Sequence, residues 1–155
     1  RIDLIQSGAR MGMACYAYAL REKTNPISLA AIRGPSFAKS VDVDPYSSTK
    51  KDLLYFRPVI DTPKDEHGND KLFKMRLWLP DPLPQFEVPL DQTQFVIYSV
   101  GPDDRSQNAI NCTQGRTGEG DYLLWPPPLS LLRQHLIDTG GLKPENASIT
   151  MPKGG

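Results

Sequence analysis

Cysteine, histidine and carboxylate side chains are the reactive groups of this 155-residue chain, and their spacing limits what they can do. Cys15 and Cys112 are the only cysteines, so the chain alone can form one disulfide and no thiolate metal site. Such a bond would close a loop of about 100 residues and stabilise by at most about 4 to 5 kcal/mol. The alternative is a buried Cys15 and an exposed, free Cys112. His67 stands among Asp65, Glu66 and Asp70, the composition of a solvated hairpin tip rather than a metal site. His135 is near Ser130 and Asp138 in sequence, but proximity along a helix is not a triad, and no Gly-x-Ser-x-Gly elbow occurs. No carboxylate pair stands in an apolar setting that would separate two pKa values. The chain is therefore expected not to be an enzyme. Trp78 and Trp125 flank proline-rich stretches, and Trp125 with Pro126-Pro127-Pro128 can present a polyproline surface to a partner, but aromatic-on-proline packing inside the fold is the favoured reading. Asn111-Cys112-Thr113 and Asn146-Ala147-Ser148 fit the glycosylation acceptor pattern.

The elements that position these groups belong to one domain at this length. Lys+Arg and Asp+Glu are 18 each, which removes the basic excess that a run of phosphates requires, so no nucleic acid is expected as a partner. Fifteen prolines, against a usual share of about 5%, imply many turns and extended segments. No window holds the roughly 18 consecutive apolar residues of a membrane helix, and no signal peptide opens the sequence.

Residues 1–25 contain no proline, and Ile2, Ile5, Ala9, Met13, Tyr16 and Leu20 recur three or four apart. This predicts an amphipathic helix of about 22 residues, about 33 Å long. Its packing face is read as rich in small residues: Gly8, Ala9, Gly12, Ala14 and Ala17. Each glycine costs about 1 kcal/mol of helix propensity, which close packing would compensate. A short helix is predicted over 28–33 and a loop over 34–51. Strands follow at 53–56 and 72–79, joined as a hairpin through the turn-rich 65–70. Pro80, Pro82, Pro84 and Pro89 argue against regular structure before a strand at 94–100. Residues 101–120 read as a long loop, 121–125 as a short strand, and 130–138 as a helix capped by Ser130 and stopped by Gly140-Gly141. Residues 1–142 thus form the domain, with the sheet region at 53–125 and the terminal helix at 130–139, and 143–155 form a tail.

Two segments carry a known pattern. Asp44-Pro45-Tyr46-Ser47-Ser48 leads to Leu54-Tyr55-Phe56-Arg57, and Tyr98-Ser99-Val100-Gly101-Pro102-Asp103-Asp104 leads, after the loop, to Gly120-Asp121-Tyr122-Leu123-Leu124-Trp125. In that order they resemble the C-terminal half of type II secretion pseudopilins and related pilin-like proteins, over residues 1–125. The resemblance implies an α+β fold, a long N-terminal helix on a small antiparallel sheet. Asp44 and Pro45 would make the turn that swings the chain off the helix, and Gly101-Pro102 would end a strand and free the carboxylates behind it.

The resemblance also implies calcium, held by Asp103, Asp104 and Asp121 as hard oxygen ligands. This chain departs from the family there: the loop carries an insertion over 106–114, and Arg105 and Arg116 bring positive charge. The alternative is an Asx-capped turn with no metal. The function implied is a structural subunit of a pseudopilus or pilus-like filament of a bacterial secretion system, with residues 1–23 as the lower half of its stalk. Its partners would be other pilin-like subunits. No Ser, Thr, Asp or Asn precedes Ile2 as a cap, so the expected upstream residues are about 20 apolar ones. They would anchor the chain in the inner membrane and leave its head in the periplasm. The rival expectation is an extracytoplasmic, monomeric binding module that takes a peptide or glycan on loops 80–89 and 126–128.

Overall fold

The computed structural model describes residues 2–33, 41–69, 73–80, 82–113 and 120–143. Arg1, Asp70, Leu72, Arg116, the Asn146 acceptor pattern and the tail from 144 onward lie outside the described residues.

Helix α1 spans Ile2–Glu22. It ends where Lys23 takes a left-handed conformation (φ 63°) and donates its N–H to the Ala19 carbonyl at 2.9 Å, three residues before Pro26. Arg21 in the last turn complements the helix dipole. Gly8, Met11, Gly12, Ala14 and Cys15 are buried. A methyl group on Gly8 would lie 2.4 Å from Leu124 Cβ, and one on Gly12 2.3 Å from the Trp125 ring. The small residues therefore let the helix backbone rest almost directly on the sheet. The apolar stripe through Ile5, Met13, Tyr16 and Leu20 points to solvent instead. The sheet takes the face that allows the closer approach.

A single turn of 3-10 helix, Leu29–Ile32, buries Leu29 and Ile32 beside α1. Among the described residues six strands follow: β1 (Leu54–Phe56), β2 (Phe73–Trp78), β3 (Gln85–Leu90), β4 (Val96–Ser99), β5 (Asn111–Thr113) and β6 (Asp121–Trp125). Helix α2, Pro128–Asp138, closes the described chain. The strands form one sheet in the order β1-β4-β6-β5-β2-β3. Pairs β1–β4, β4–β6 and β2–β3 are antiparallel, whereas β5 is parallel to both its neighbours. The fold is α+β as expected, but the sheet is mixed and larger than a small antiparallel one.

Several sequence expectations give way here. β1 and β2 do not pair: the turn at 65–69 closes on itself, Asp65 Oδ1 accepting the His67 and Asn69 N–H groups at 2.9 and 2.8 Å. β2 pairs instead with β3 across the proline-rich 80–84 connection, Trp78 opposite Gln85. Pro89 is tolerated inside β3 because β3 is an edge strand, with one side free of ladder bonds. The expected long loop contains β5. Helix α2 begins at Pro128 rather than after a Ser130 cap, because proline at the first helical position lacks only an N–H that would have had no helical partner.

Alternation in β4 divides the core. Ile97 joins Leu4, Met11, Cys15, Phe95 and Leu124 under α1, while Val96 and Tyr98 face Phe73, Met75, Leu77, Phe86, Val88 and Leu123 on the other side. Leu131 and Leu132 of α2 pack on this second cluster, and His135 stacks on Phe86 at 4.3 Å. Cys15 belongs to the first cluster and Cys112 to the second, and both are free and buried. The disulfide considered from sequence is thus not formed, because the sheet separates the two thiols, and Cys112 is not exposed.

Candidate functional site

The segments 44–57 and 98–125 meet at one end of the sheet. Asp44 enters through a short ladder in which its N–H donates to the Lys51 carbonyl at 2.8 Å. The Asp44 carboxylate is 1% exposed, and Oδ1 accepts the Tyr46 N–H at 2.9 Å, the Asx-turn expected of Asp-Pro. The same oxygen accepts the Ser99 hydroxyl at 2.8 Å, and Oδ2 accepts the Val100 N–H at 2.8 Å. Ser99 Oγ in turn accepts the Gly101 N–H at 3.1 Å. One carboxylate therefore joins residues 55 positions apart, and a buried charge is met by three donors. Tyr46 adds an edge-on contact with Tyr122 at 5.3 Å.

After β4 the chain turns sharply. Gly101 has φ 72°, and a methyl group there would lie 2.5 Å from the Gly120 carbonyl oxygen, so only glycine fits. Pro102 follows it in the turn, and the Asp104 N–H donates to the Gly101 carbonyl at 3.1 Å. Asp103 Oδ1 accepts from Arg105 N–H at 3.0 Å and Oδ2 from Gly120 N–H at 3.2 Å, which pins the start of the loop to its return. Asp104 swings the other way: its carboxylate accepts the Ser48 N–H at 3.2 Å and the Ser48 hydroxyl, and these bonds hold its pKa below the ordinary carboxylate value. Asp104 thus closes a second link between the same two segments.

Asp121, at the start of β6, is fully buried. Its Oδ2 accepts from Gln107 N–H at 3.0 Å and Ala109 N–H at 2.9 Å, folding the 106–110 segment back over the strand. Burial pushes its pKa up to about 6, and the nearby charges of Asp103 and Asp44 push the same way, against the two N–H bonds.

The structure therefore brings Asp44, Pro45, Gly101, Pro102, Asp103, Asp104 and Asp121 to one region, but the last three carboxylates are directed at different partners. Among the described residues, no three His, Cys, Asp or Glu side chains gather in a way that could hold a metal ion. Calcium takes six to eight oxygen ligands, and the described carboxylates here are occupied by backbone N–H and hydroxyl donors. Beside the Asp104–Ser48 link lies a cavity of about 290 Å³ lined by Ser47, Thr49, Lys51, Asp52 and Ser106 among others. Ser48 and Ser99 were the partners hidden from sequence reasoning. Both sit inside the quoted segments, yet nothing in a linear pattern pairs Ser48 with Asp104 or Ser99 with Asp44. The other candidates stay apart: His67 is exposed beside Glu66 at 3.5 Å, and His135 lies against Phe86.

No protein-family model, no curated protein and no solved structure matches the chain.

Proposed function

We propose that this chain is a non-catalytic structural subunit of a pseudopilus-like filament in a bacterial secretion system. An apolar helix upstream of α1 would anchor it in the inner membrane and place the described head in the periplasm. The observation that carries the reading is the two-faced character of α1. One face rests on the sheet through Gly8, Met11, Gly12, Ala14 and Cys15. The other leaves Ile5 52%, Met13 66%, Tyr16 58% and Leu20 60% exposed. These residues, with Ala9 between the first two, repeat every three or four positions, the spacing of a helix–helix seam. The stripe runs about 22 Å along the helix at 1.5 Å per residue. Its occupant in this reading is the same stripe of a second copy, stacked in register along the filament.

The electrostatics of the reactive groups fit a structural role. Burial pushes the Cys15 thiol up to about 12 and raises Cys112, the reverse of what a thiolate nucleophile requires. Calcium is a separate proposal within this reading, resting on the nearness of Asp103 to Asp121, close enough for their charges to interact although each carboxylate is turned to its own N–H donors. A rise in melting temperature at millimolar calcium, reversed by chelator and lost in Asp103→Ala, would support it.

The test of the filament reading is the native reading frame upstream of Arg1 together with sedimentation of the full-length, membrane-extracted protein. An apolar segment of about 20 residues continuous with α1, and oligomers dissolved by Met13→Glu, are expected. A cleavable signal peptide directly before Arg1, or a strict monomer indifferent to Met13→Glu, would overturn it and favour a monomeric binding module.

A further inference from the structure

Strand β3 closes one edge of the sheet, and the ladder fixes which of its backbone groups face outward. The Arg76 N–H donates to the Ile110 carbonyl at 2.8 Å, so Arg76 turns its backbone groups toward β5. Successive residues of a strand turn theirs to opposite sides, so Met75 and Leu77 bond to their partners Val88 and Phe86. Gln85, Glu87 and Pro89 are left facing away from the sheet. Among the described residues no strand pairs with this row. It offers the N–H groups of Gln85 and Glu87 and the carbonyls of all three residues over about 13 Å.

The same edge carries an apolar groove. Phe86 and Val88 are buried on the face that α2 covers, while Gln85, Glu87 and Pro89 are exposed on the other. Between β3 and α2 lies a cavity of about 130 Å³, lined by Phe86, Val88, Leu131, His135 and Asp138 among others. Glu87 and Pro89 line it as well, which carries it to the outer margin of the strand. Helix α2 has no fully buried residue, and Leu131, Leu132 and Leu136 are half-buried. A strand laid beside β3 would set alternate side chains against this apolar surface.

The chain itself supplies such a segment. Beyond Pro144 the sequence reads Ala147-Ser148-Ile149-Thr150-Met151 before Pro152, and Ala147, Ile149 and Met151 alternate with two hydroxyl residues. That is the period of a half-buried strand, with β-branched Ile149 and Thr150 at its centre. The end of α2 sets its point of departure. Gly140 takes φ 77° and the Leu142 N–H donates to the Leu136 carbonyl at 3.0 Å, a turn that reverses the chain at the helix end lining the groove. The four steps from Lys143 to Ala147 span up to about 13 Å, more than the roughly 10 Å between packed layers.

We propose that residues 147–151 pair with the outer edge of β3 of the same chain as an added strand, with Ile149 in the groove against Phe86, Val88 and α2, and Ser148 and Thr150 on the face of Gln85 and Glu87. The contact lies on the opposite side of the sheet from α1, so its failure leaves the filament reading untouched.

The test is native-state amide exchange of the whole chain, read residue by residue by NMR, with the β4 amides as internal reference. The Gln85 and Glu87 N–H groups, which no bond within the described sheet protects, should exchange at least about tenfold more slowly than in a free chain. Ile149→Glu, which sets a charge in the groove, should return both to the free rate and leave β4 unchanged. Thr150→Lys, on the outer face beside Glu87, should leave both protected, and protection should not vary with protein concentration. Free-chain exchange at Gln85 and Glu87 in the unaltered protein would overturn the proposal. So would protection that survives Ile149→Glu, that is lost equally in Thr150→Lys, or whose loss is matched at β4. Protection that grows with protein concentration would overturn it too, placing the strand of one copy on the edge of another.

Discussion

Replacing Gly12 by alanine in α1 sets two known magnitudes against each other. Helix propensity favours the change by about 1 kcal/mol. The new methyl carbon, however, would stand 2.3 Å from Cδ2 and Cε3 of Trp125, and at Gly8 the equivalent carbon would stand 2.4 Å from Leu124 Cβ. Carbon atoms in contact prefer 3.5 to 4.0 Å, so an overlap of more than about 1 Å must be relieved. Neither neighbour is a flexible chain end. Leu124 Cβ is fixed by the β6 backbone, and the Trp125 ring lies nearly parallel to Phe95, 7° between planes. The helix must therefore lift, loosening Met11 and Cys15 as well. Overpacking of this kind costs about 1 to 3 kcal/mol. Taking the upper part of that range, because the obstruction is rigid, each variant should lose about 1 to 2 kcal/mol net. For a chain of this size that is a fall in melting temperature of about 2 to 8 °C. Urea denaturation followed by far-ultraviolet circular dichroism measures it, with Ala17→Gly as the control because Ala17 is exposed on the same helix. If Gly12→Ala raised stability by the amount that Ala17→Gly lowers it, α1 would not sit this close to β6 and the packing described here would be wrong.

Asp121 should make stability fall as pH rises. Its folded pKa of about 6 exceeds the ordinary 3.8, so between those pH values the folded chain holds a proton that the unfolded chain has released. The loss is complete above about pH 6 and amounts to at most about 3 kcal/mol. Asp121→Asn keeps an acceptor for the Gln107 and Ala109 N–H groups and should flatten the profile between pH 4 and pH 6, read as urea midpoints in chelator. Asp44→Ala should cost about 3 kcal/mol or more, since it removes the carboxylate that accepts from three donors; a loss under about 1 kcal/mol would show that water replaces the carboxylate. Both thiols should resist iodoacetamide in the native chain and react only on unfolding, and reductant should leave the melting temperature unchanged.

The parts of the fold legible in the sequence are those where one local signal suffices. The alternation of Phe73, Met75 and Leu77 marks β2, the proline triplet bounds β6, and the absence of proline before Pro26 marks α1. The site was legible as two segments, and both links between them use residues already inside the pattern. What stayed hidden depends on distant partners. Whether β1 pairs with β2 or β4 is decided by burial on both faces of β4, not by the turn at 65–69. The outward direction of the Ile5–Leu20 stripe follows from Leu124 and Trp125, which admit only the glycine face. β5 has three residues and no alternation long enough to read, and the proline in β3 is permitted by an edge position that only the completed sheet defines.

The parallel strand β5 is also a seam. It shares three rungs with β2 and two with β6, and among the described strands it alone connects the antiparallel group β1-β4-β6 to the hairpin β2-β3. The hairpin closes a short loop and can form early, whereas β5 must wait until both of its remote neighbours are in place. Its amides should therefore be the last strand amides to gain protection during refolding and the first to exchange in the native state, dividing the sheet into two cooperative units. Side chains of the Phe73–Leu123 cluster, rather than ladder bonds, keep those units together. Any molecule that grips Arg76 on one side of the line and Asn111 on the other would stitch it shut, and would slow exchange across the junction in proportion to its occupancy.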